Sequence, residues 1–332
     1  MSGFTELIDL AAERLGGTVL HANDDFFASK ENLLKAAKPI FIEDKYTDRG
    51  KWMDGWETRR RRTPGHDWCI IRLGLPGILR GLLVDTAFFR GNYPECCSME
   101  GCSATRDASA DQLDAAATQW SEVLKSSPLK GDTQNLFPFD HPHRVTHLRF
   151  HIYPDGGVAR LRAFGEVVPD WGKLRAAGEI DLVAVENGGL AIASSDMFFG
   201  SRNNLILPGR GIHMGDGWET KRRRGPGHDW CILRLGAPGR IRRIELDTAH
   251  YKGNFPESCQ LEACNASGRQ EEELADSLGW TELLPRTRLE ADHVHRFETE
   301  VRNTGAVTHV RLNIFPDGGV SRLRLFGTLA EK

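Results

Sequence analysis

The chain has 332 residues, of which 40% are hydrophobic and 27% are charged, a globular composition with the length of about two domains. Its formal net charge of −3 excludes a general attraction to nucleic acid or to anionic lipid. No apolar stretch approaches the roughly 20 residues of a membrane helix, and the N-terminal segment lacks the features of a signal peptide. We therefore expect a cytoplasmic protein with no membrane partner and no nucleic-acid partner.

The sequence predicts few helices. An apolar stripe at helical spacing near the N-terminus predicts one of them and consists of Phe4, Leu7, Ile8, Ala11 and Leu15. The segment SADQLDAAATQW, at 109–120, predicts a second short helix. Both are accessory to a chain whose remaining segments have the character of strands.

Several segments of the first half have the composition of β-strands. They are short runs rich in β-branched and aromatic residues: HDWCIIRL at 66–73, RGLLVDTAFF at 80–89, THLRFHIY at 146–153 and GVARLRAF at 157–164. Pro-Gly, Gly-Asn and Asp-Gly-Gly turn signals lie between them. This pattern predicts antiparallel β-structure in the form of a β-sandwich or a jelly roll.

An internal repeat organises the whole chain. Three blocks recur at an offset of 162 residues: 54–77 on 216–239, 85–95 on 247–257, and 153–165 on 315–327. In the first block, DGWETRRRRTPGHDWCIIRLGLPG, 20 of 24 positions are identical in the two copies. The N-terminal blocks recur at an offset of 172 residues, so the first copy carries about ten extra residues, roughly 41–50. We predict two domains, residues 1–168 and residues 169–332.

The seven cysteines predict no disulfide framework. Cys69 and Cys231 lie in the apolar stretches WCIIRL and WCILRL, where a free cysteine behaves as a small buried hydrophobe. We expect reduced thiols, as in a cytoplasmic protein.

The repeated motifs resemble those of the allantoicases. DGWET with its basic run, PGHDWCI, DTA with GN and PE, and PDGG with FG each occur twice, and the resemblance covers nearly the whole chain. It implies an all-β fold of two tandem jelly-roll, galactose-binding-like β-sandwich domains, to which the short helices are accessory. It also implies a hydrolase acting on a C–N bond of a linear amidine, which converts allantoate to (S)-ureidoglycolate and urea in purine degradation.

Arginines of the repeats suit such a substrate. Allantoate carries a carboxylate and two ureido groups, and an arginine fork binds a carboxylate through two hydrogen bonds, which lysine does not reproduce. The basic run and the arginine five residues after each PDGG aspartate are the candidates. The predicted substrate-binding residues are Arg60, Arg61, Arg62, Arg160, Arg222, Arg223, Arg224 and Arg322. The alternative for the run is a solvated basic edge that forms ion pairs with Glu57 and Glu219.

Acidic and imidazole side chains are candidates for proton transfer. Each His-Asp pair lies between a Pro-Gly turn and a predicted strand, at a sheet end where loops form sites, and histidine titrates near neutral pH. The glutamate of each GN-PE motif is a further candidate. The predicted catalytic residues are His66, Asp67, Glu95, His228, Asp229 and Glu257. The alternatives are a strand-end cap for His-Asp and a turn carboxylate for the glutamates. No serine or cysteine has the surroundings of an activated nucleophile, so we expect no covalent intermediate.

Two histidine pairs raise the question of a metal. His141 with His143 and His293 with His295 recur at what the sequence suggests are equivalent places, and histidines two apart on a strand share a face, as zinc or manganese ligands do. No carboxylate or cysteine cluster accompanies them at metal-ligand spacing. We predict no metal and no other cofactor, with allantoate as the small-molecule partner and a homo-oligomeric assembly.

The copies also differ, and a second class of function remains open. They diverge at Asp25 against Met197, His21 against Ala193, and Phe88 against His250. If only one copy is catalytic, such positions decide which. A tandem carbohydrate-binding module without catalysis is the main alternative, since a β-sandwich alone does not specify an activity. The arginine, histidine and glutamate side chains of the repeats favour the enzyme.

Overall fold

The computed structural model describes residues 3–115, 117–267, 273–275 and 279–330 of the chain. The chain separates into two compact units, Met1–Val168 and Pro169–Lys332. All pairings among the described strands are antiparallel, and each main sheet lies within one unit. The predicted all-β fold of two repeated domains is confirmed.

The first unit is built from short strands around one long strand. In chain order its elements are β1 (Ile8–Asp9), β2 (Thr18–Ala22), β3 (Tyr46–Thr47), β4 (Gly50–Lys51), β5 (Trp56–Glu57), β6 (Asp67–Asp85), β7 (Cys96–Cys102), α1 (Ala110–Asp114), β8 (Ser121–Pro128), β9 (Gln134–Pro138), β10 (Arg144–Tyr153), β11 (Gly157–Val158) and β12 (Arg160–Val167). The 3₁₀ turns lie at Phe4–Glu6, Glu13–Leu15 and Lys30–Leu34. The sheet order is β1-β12-β6-β10-β7-β8, with β2 and β9 also paired to β6.

Strand β6 changes partners along its length. Residues 67–72 and 77–78 pair with β10, and residues 77–85 pair with β12. The sequence predicts two strands here, separated by a Pro-Gly turn, and that break is wrong. Pro76 stands instead where the register shifts, and a proline is tolerated in a strand at such an irregularity. A strand that switches partners in this way forms the corner between two packed sheets.

The second unit repeats this topology. Its elements are α2 (Trp171–Ala177), β13 (Glu179–Asp181), β14 (Leu190–Ser194), β15 (Trp218–Glu219), β16 (Asp229–Asp247), β17 (Ser258–Cys264), β18 (Thr281–Arg288), β19 (Val294–Phe297), β20 (Val307–Phe315), β21 (Gly319–Val320) and β22 (Arg322–Leu329). The 3₁₀ turns lie at Val185–Asn187, Arg202–Ile206 and Met214–Asp216. The sheet order is β13-β22-β16-β20-β17-β18, with β14 and β19 also paired to β16. Strand β16 therefore takes the place of β6.

The extra residues of the first copy form a small hairpin. Strands β3 and β4 pair through Tyr46 with Lys51 and Thr47 with Gly50. Residues 195–217 of the second unit contain no counterpart of this hairpin. The ten-residue difference found in the sequence is therefore a local addition to the shared scaffold.

One predicted helix forms and the other does not. Helix α1 begins with a capping box, in which the Ser109 side chain accepts from the Gln112 backbone and the Gln112 side chain accepts from the Ser109 backbone. The helix predicted from Phe4 to Leu15 is wrong: this segment holds two 3₁₀ turns and β1, where Ile8 pairs with Gly165. Pairing with β12 overrides the helical spacing of the apolar residues.

The buried residues complete the sandwiches. Trp56 and Trp218 are fully buried, and each indole N–H donates to a backbone carbonyl at 2.8 Å. None of the seven cysteines, all of which lie in the described part of the chain, forms a disulfide, and Cys69 and Cys231 are fully buried. No helix in the described part of the chain is long and apolar enough to cross a membrane.

Candidate active site

The repeated sequence blocks meet at a cleft in each unit. Cleft 1, of about 670 Å³, is lined by Phe27, Glu57, Thr58, Arg60, Arg61, Gly91, Asn92, Tyr93, Glu95, Pro154, Asp155 and Gly156. Cleft 2, of about 500 Å³, is lined by Phe199, Glu219, Thr220, Arg222, Gly253, Asn254, Phe255, Glu257, Arg288, Leu289, Pro316, Asp317 and Gly318. Apart from Arg61 on one side and Arg288 with Leu289 on the other, the two linings correspond at the offsets of the sequence repeat.

Short backbone contacts bring the separate blocks of cleft 1 together. The Gly156 backbone N–H donates to Thr58 Oγ1 at 3.1 Å, and the Arg61 backbone N–H donates to Asp155 Oδ2 at 2.8 Å. A Cβ on Gly156 would lie 2.7 Å from the Asn92 carbonyl oxygen, and its φ is +137°, so only glycine fits there. The same contacts recur in the second unit at Thr220, Gly318, Arg223 and Asp317. The PDGG aspartate therefore orients the basic run.

The arginines of the first run have different surroundings. Arg60 is exposed and lines cleft 1, and no ion pair to it is found among the described residues. Arg61 is half-buried, and its guanidinium pairs with Asp67, whose side chain is 1% exposed. Asp67 also accepts from Asn23 Nδ2 at 3.0 Å. Arg62 is exposed and is not part of the lining. Arg60 is thus the member of the run best placed to meet a ligand.

The second run follows the same plan. Arg222 lines cleft 2, and Arg223 pairs with the buried Asp229. Arg224 lines a smaller pocket of about 320 Å³ beside it. The predicted catalytic residues Asp67 and Asp229 therefore lie beneath an arginine in each unit and are not part of either cleft lining.

Glu57 and its counterpart Glu219 lie in the clefts. Glu57 is half-buried and accepts from Asn92 Nδ2 at 2.7 Å, and Glu219 accepts from Asn254 Nδ2 at 2.6 Å. Burial raises the pKa of Glu57 above its ordinary value, and the hydrogen bond from Asn92 opposes this. Among the described residues no arginine forms an ion pair with either glutamate. The sequence indicated them only as ion-pair partners, although their repetition in the DGWET motif was a signal of a shared site.

The GN-PE glutamates differ between the units. Glu95 is exposed in cleft 1, and no ion pair to its carboxylate is found in the described part of the chain. Glu257 accepts from Ser258 Oγ at 2.6 Å and forms ion pairs with Arg286 at 3.3 Å and Arg288 at 3.6 Å. The Ser258 hydrogen bond and the two arginines hold the pKa of Glu257 below its usual range. Two arginines therefore neutralise the carboxylate of Glu257 in cleft 2, whereas no described arginine does so for Glu95 in cleft 1.

The histidines of the His-Asp pairs lie beside the clefts rather than in their lining. His66 packs against Tyr153, with ring centroids 4.5 Å apart, and its Nε2 lies 2.9 Å from His151 Nδ1. Burial lowers the pKa of His66, and the nearby Arg61 lowers it further. His228 lies instead against Phe315, with ring centroids 4.6 Å apart.

Arg160 and Arg322 are not part of either cleft lining. Each guanidinium is buried and forms an ion pair with a buried aspartate, Arg160 with Asp54 at 2.7 Å and Arg322 with Asp216 at 2.8 Å. In each arginine, Nε donates a hydrogen bond to one backbone carbonyl, and Nη1 donates to two others. An arginine so fully engaged holds the preceding loop in place and has little donor capacity left for a ligand.

The two histidine pairs are not equivalent, which corrects the sequence-based alignment. His141 and His143 follow β9, whereas His295 lies on β19 at the register position that Asn135 occupies on β9. Within the described residues, no group of three or more His, Cys, Asp or Glu side chains is arranged to hold a metal ion.

A side pocket of about 410 Å³ adjoins cleft 1. It shares part of the cleft lining and adds Phe41, Lys51, Met53, Phe88 and Arg90. Phe41, from the extra residues of the first copy, stacks on Phe88 with ring centroids 5.6 Å apart. At the equivalent of Phe88, His250 Nε2 lies 2.8 Å from the Gly211 carbonyl oxygen. The insertion thus contributes to the lining of a pocket beside cleft 1.

Comparisons with known proteins agree on one family. A family model described as the allantoicase repeat matches residues 8–168 and 180–330. A probable allantoicase of Pseudomonas aeruginosa (strain UCBPP-PA14) is 51% identical over 98% of this chain and 97% of its own length. A probable allantoicase of Photobacterium profundum is 48% identical over 99% of this chain and 98% of its own. The crystal structure of allantoicase from Saccharomyces cerevisiae is similar with a TM-score of 0.81 and 38% identity, covering 97% of this chain and 93% of that one.

Proposed function

The chain belongs to the allantoicase family, which hydrolyses allantoate to (S)-ureidoglycolate and urea, and we propose that this reaction takes place in cleft 1. The protein is a hydrolase of a C–N bond in a linear amidine and acts in purine degradation. The observation that carries the proposal for cleft 1 is the set of groups facing it. One cavity holds an arginine and a glutamate that have no ion-pair partner among the described residues, together with a second glutamate whose pKa is raised by burial.

Arg60 binds the substrate carboxylate in this proposal. Its guanidinium is exposed in cleft 1, and a planar fork matches a carboxylate with two parallel hydrogen bonds. Arg61, fixed by Asp67 below and Asp155 at its backbone, adds a positive charge at the same side of the cleft. The carboxylate is bound throughout the reaction, so this contact contributes mainly to substrate affinity.

Glu57 and Glu95 supply the two proton transfers. The C–N bond breaks with its electron pair passing to the departing urea nitrogen, which takes a proton from Glu57. A water oxygen bonds to the central carbon as that bond breaks and loses its proton to Glu95. A raised pKa keeps Glu57 protonated more readily, as a general acid requires, and an unpaired carboxylate suits a base.

Differences between the units favour cleft 1 over cleft 2. The carboxylate of Glu257 is held by Arg286 and Arg288, which makes it a weaker base than Glu95. Cleft 2 is also smaller, and only cleft 1 adjoins the pocket formed with Phe41 and Phe88. We therefore assign catalysis to the first unit and a structural or binding role to the second.

Urea release from allantoate by the purified chain tests this assignment. Glu57→Gln removes the transferable proton while keeping the hydrogen bond to Asn92, and it should lower kcat by about 10²- to 10⁴-fold. Glu219→Gln is the matched control and should leave kcat nearly unchanged. A Glu57→Gln chain that folds normally by circular dichroism and keeps full kcat would remove Glu57 from the mechanism.

The setting of the enzyme is also part of the proposal. Seven cysteines that form no disulfide in the described part of the chain are typical of a reducing compartment, which supports a cytoplasmic location. Phe198, Phe199 and Ile212 are 63%, 61% and 75% exposed, and exposed apolar side chains of this size support assembly into a homo-oligomer. The net charge of −3 argues against binding to nucleic acid. Light scattering of the purified protein measures the assembly directly.

A further inference from the structure

Three side chains beside cleft 1 form a continuous hydrogen-bonded chain. His66 Nε2 lies 2.9 Å from His151 Nδ1, and His151 Nε2 lies 3.0 Å from Glu100 Oε2. The His151 side chain is 11% exposed and that of Glu100 is 36% exposed, so the chain leads from a buried ring to a carboxylate that reaches solvent. At the other end, the backbone N–H of Asp67 donates to the carbonyl of Pro154 in the cleft lining, at 3.2 Å.

The second unit keeps the geometry of this chain but changes its middle member. His228 Nε2 lies 3.2 Å from Asn313 Oδ1, and Asn313 Nδ2 donates to Glu262 Oε2 at 2.8 Å. The amide can accept one hydrogen bond and donate another, as an imidazole does. An amide cannot take up a proton on one side and release another on the other, so the hydrogen-bonded series of the second unit cannot pass a proton along.

Glu100 and Glu262, the last members of the two hydrogen-bonded series, also differ in their partners. Glu262 accepts a hydrogen bond from Arg311 Nε at 2.8 Å and forms an ion pair with its Nη2 at 2.7 Å, so a guanidinium already neutralises it. The equivalent Arg149 keeps its closest nitrogen 3.9 Å from Glu100 and turns another toward Asp114, at 3.2 Å. His151, at 3.0 Å, is therefore closer to the Glu100 carboxylate than Arg149 is.

We propose that His66, His151 and Glu100 form a proton relay between the edge of cleft 1 and solvent. A proton taken up at His66 Nδ1 is matched by transfer of the Nε2 proton to His151 Nδ1. His66 is then neutral, and His151 is an imidazolium that forms an ion pair with Glu100. His151 then gives its Nε2 proton to Glu100 Oε2, 3.0 Å away, and the carboxylic acid releases that proton to solvent. One proton has then entered at His66 and one has left at Glu100, and exchange of the two neutral rings between their tautomers resets the relay.

The charges around the pair favour this direction of transfer. Arg61 faces His66 and disfavours a positive charge on it, although Asp67 opposes that effect. Burial lowers the pKa of His151; the hydrogen bond and the charge of Glu100 oppose this, and His66 and Arg149 lower it further. Burial lowers the pKa of both rings, but only His151 is hydrogen-bonded to a carboxylate, so an imidazolium at His151 has an ion-pair partner in direct contact. The ring of Tyr153 packs beside both histidines and holds them in place.

The relay itself does not depend on the proposed function; only its use in turnover does. If allantoate is hydrolysed in cleft 1, Glu95 must lose the proton that it takes from water, and Glu57 must regain the proton that it gives to urea, before the next cycle. The chain from His66 to Glu100 provides a route for such proton exchange next to the cleft. Positioning and proton exchange, not contact with substrate, are the roles assigned to His151 and Glu100.

A pH titration of the ¹⁵N-labelled imidazole rings by NMR tests the relay. In the unsubstituted chain, the His151 ring should become charged over the same pH range in which His66 takes up a proton. His151→Asn copies the second unit and keeps both hydrogen bonds, and it should lower the titration midpoint of His66 by about one pH unit, because the charge must then stay beside Arg61. Asn313→His is the matched control and should leave His228 unshifted, since Arg311 neutralises Glu262.

A second variant and an activity measurement complete the test. Glu100→Gln should lower the His66 midpoint in the same direction, which covers the case of a His151→Asn chain that does not fold. An unchanged His66 midpoint in a folded variant, or a His151 ring that stays neutral while His66 titrates, would overturn the relay. In turnover, the pH midpoint of kcat for urea release should move with that of His66. A fixed pH profile overturns the link to turnover, whereas absence of urea release by the unsubstituted chain contradicts the proposed function instead.

Discussion

The two units share one scaffold and differ in the groups that handle protons. The buried pairs Arg160–Asp54 and Arg322–Asp216 have nearly the same geometry. Around the clefts, by contrast, the second unit has Asn313 for His151, Phe315 for Tyr153, and Arg286 and Arg288 for Ser126 and Pro128. Duplication has thus kept the contacts that hold the loops and changed those that set the charge of the carboxylates. The following predictions test whether the two units are stabilised in the same way but differ in their chemistry.

The largest expected effect concerns a feature that the units share. Asp54→Asn leaves the buried Arg160 charge without its partner and should lower the free energy of unfolding of the first unit by about 3–5 kcal/mol. Asp216→Asn should do the same to the second unit through Arg322. Chemical denaturation followed by tryptophan fluorescence measures both.

An exposed ion pair is the control for this prediction. Arg59 pairs with Asp24 at 2.7 Å, but its side chain is 63% exposed, so Arg59→Gln should change stability by about 1 kcal/mol or less. If the Asp54 and Asp216 variants are no less stable than Arg59→Gln, the buried pairs do not hold the loops as described.

A smaller effect should separate the units. Arg60→Lys keeps the charge but loses the second hydrogen bond to the carboxylate, and it should raise KM for allantoate roughly tenfold, which is about 1.4 kcal/mol. Arg222→Lys should leave KM unchanged, because cleft 2 is not the catalytic site. Steady-state urea release over a range of allantoate concentrations gives both values. Equal increases in KM for the two variants would show that both clefts bind productively.

The smallest effect returns to a shared feature, the aspartate of the first strand in each unit. Burial, partly opposed by Arg162, raises the pKa of Asp9 from 3.8 to about 6, and burial also raises that of Asp181. The folded state then binds a proton that the unfolded chain releases above about pH 4. This contribution to stability is present at low pH and is lost as the pH rises through 6.

Asp9→Asn should abolish that pH dependence. On going from pH 7 to pH 5, the unsubstituted chain should gain about 1 kcal/mol of unfolding free energy relative to the variant. Asp140→Asn, at a side chain 90% exposed, is the control and should follow the unsubstituted chain. Identical pH dependence for Asp9→Asn and Asp140→Asn would place the titration elsewhere.

Much of the fold was predictable because it depends on local patterns repeated twice. The strand over THLRFHIY and the cap of α1 follow from composition and capping residues, and the resemblance to the allantoicases is confirmed. The break at Pro76 and the helix near Phe4 were wrong because pairing with distant strands decided both segments. Spacing along the chain carries no information about such partners.

The site was less predictable, because a side chain's role depends on its neighbours in space. Nothing in the sequence shows that Arg160 is enclosed by carbonyls while Arg60 is exposed. The difference between His151 and Asn313 is visible in the printed sequence, two residues before a repeated block. Its meaning appears only when Glu100 and His66 are found on either side of it.

The kcat for urea release by two double variants, measured side by side, tests the central claim most directly. Glu57→Gln with Glu95→Gln disables cleft 1, and Glu219→Gln with Glu257→Gln disables cleft 2. The account predicts that the first chain keeps about 1% of kcat or less, while the second keeps nearly all of it. Comparable losses in the two folded chains, or a loss confined to the second, would contradict the assignment of catalysis to the first unit.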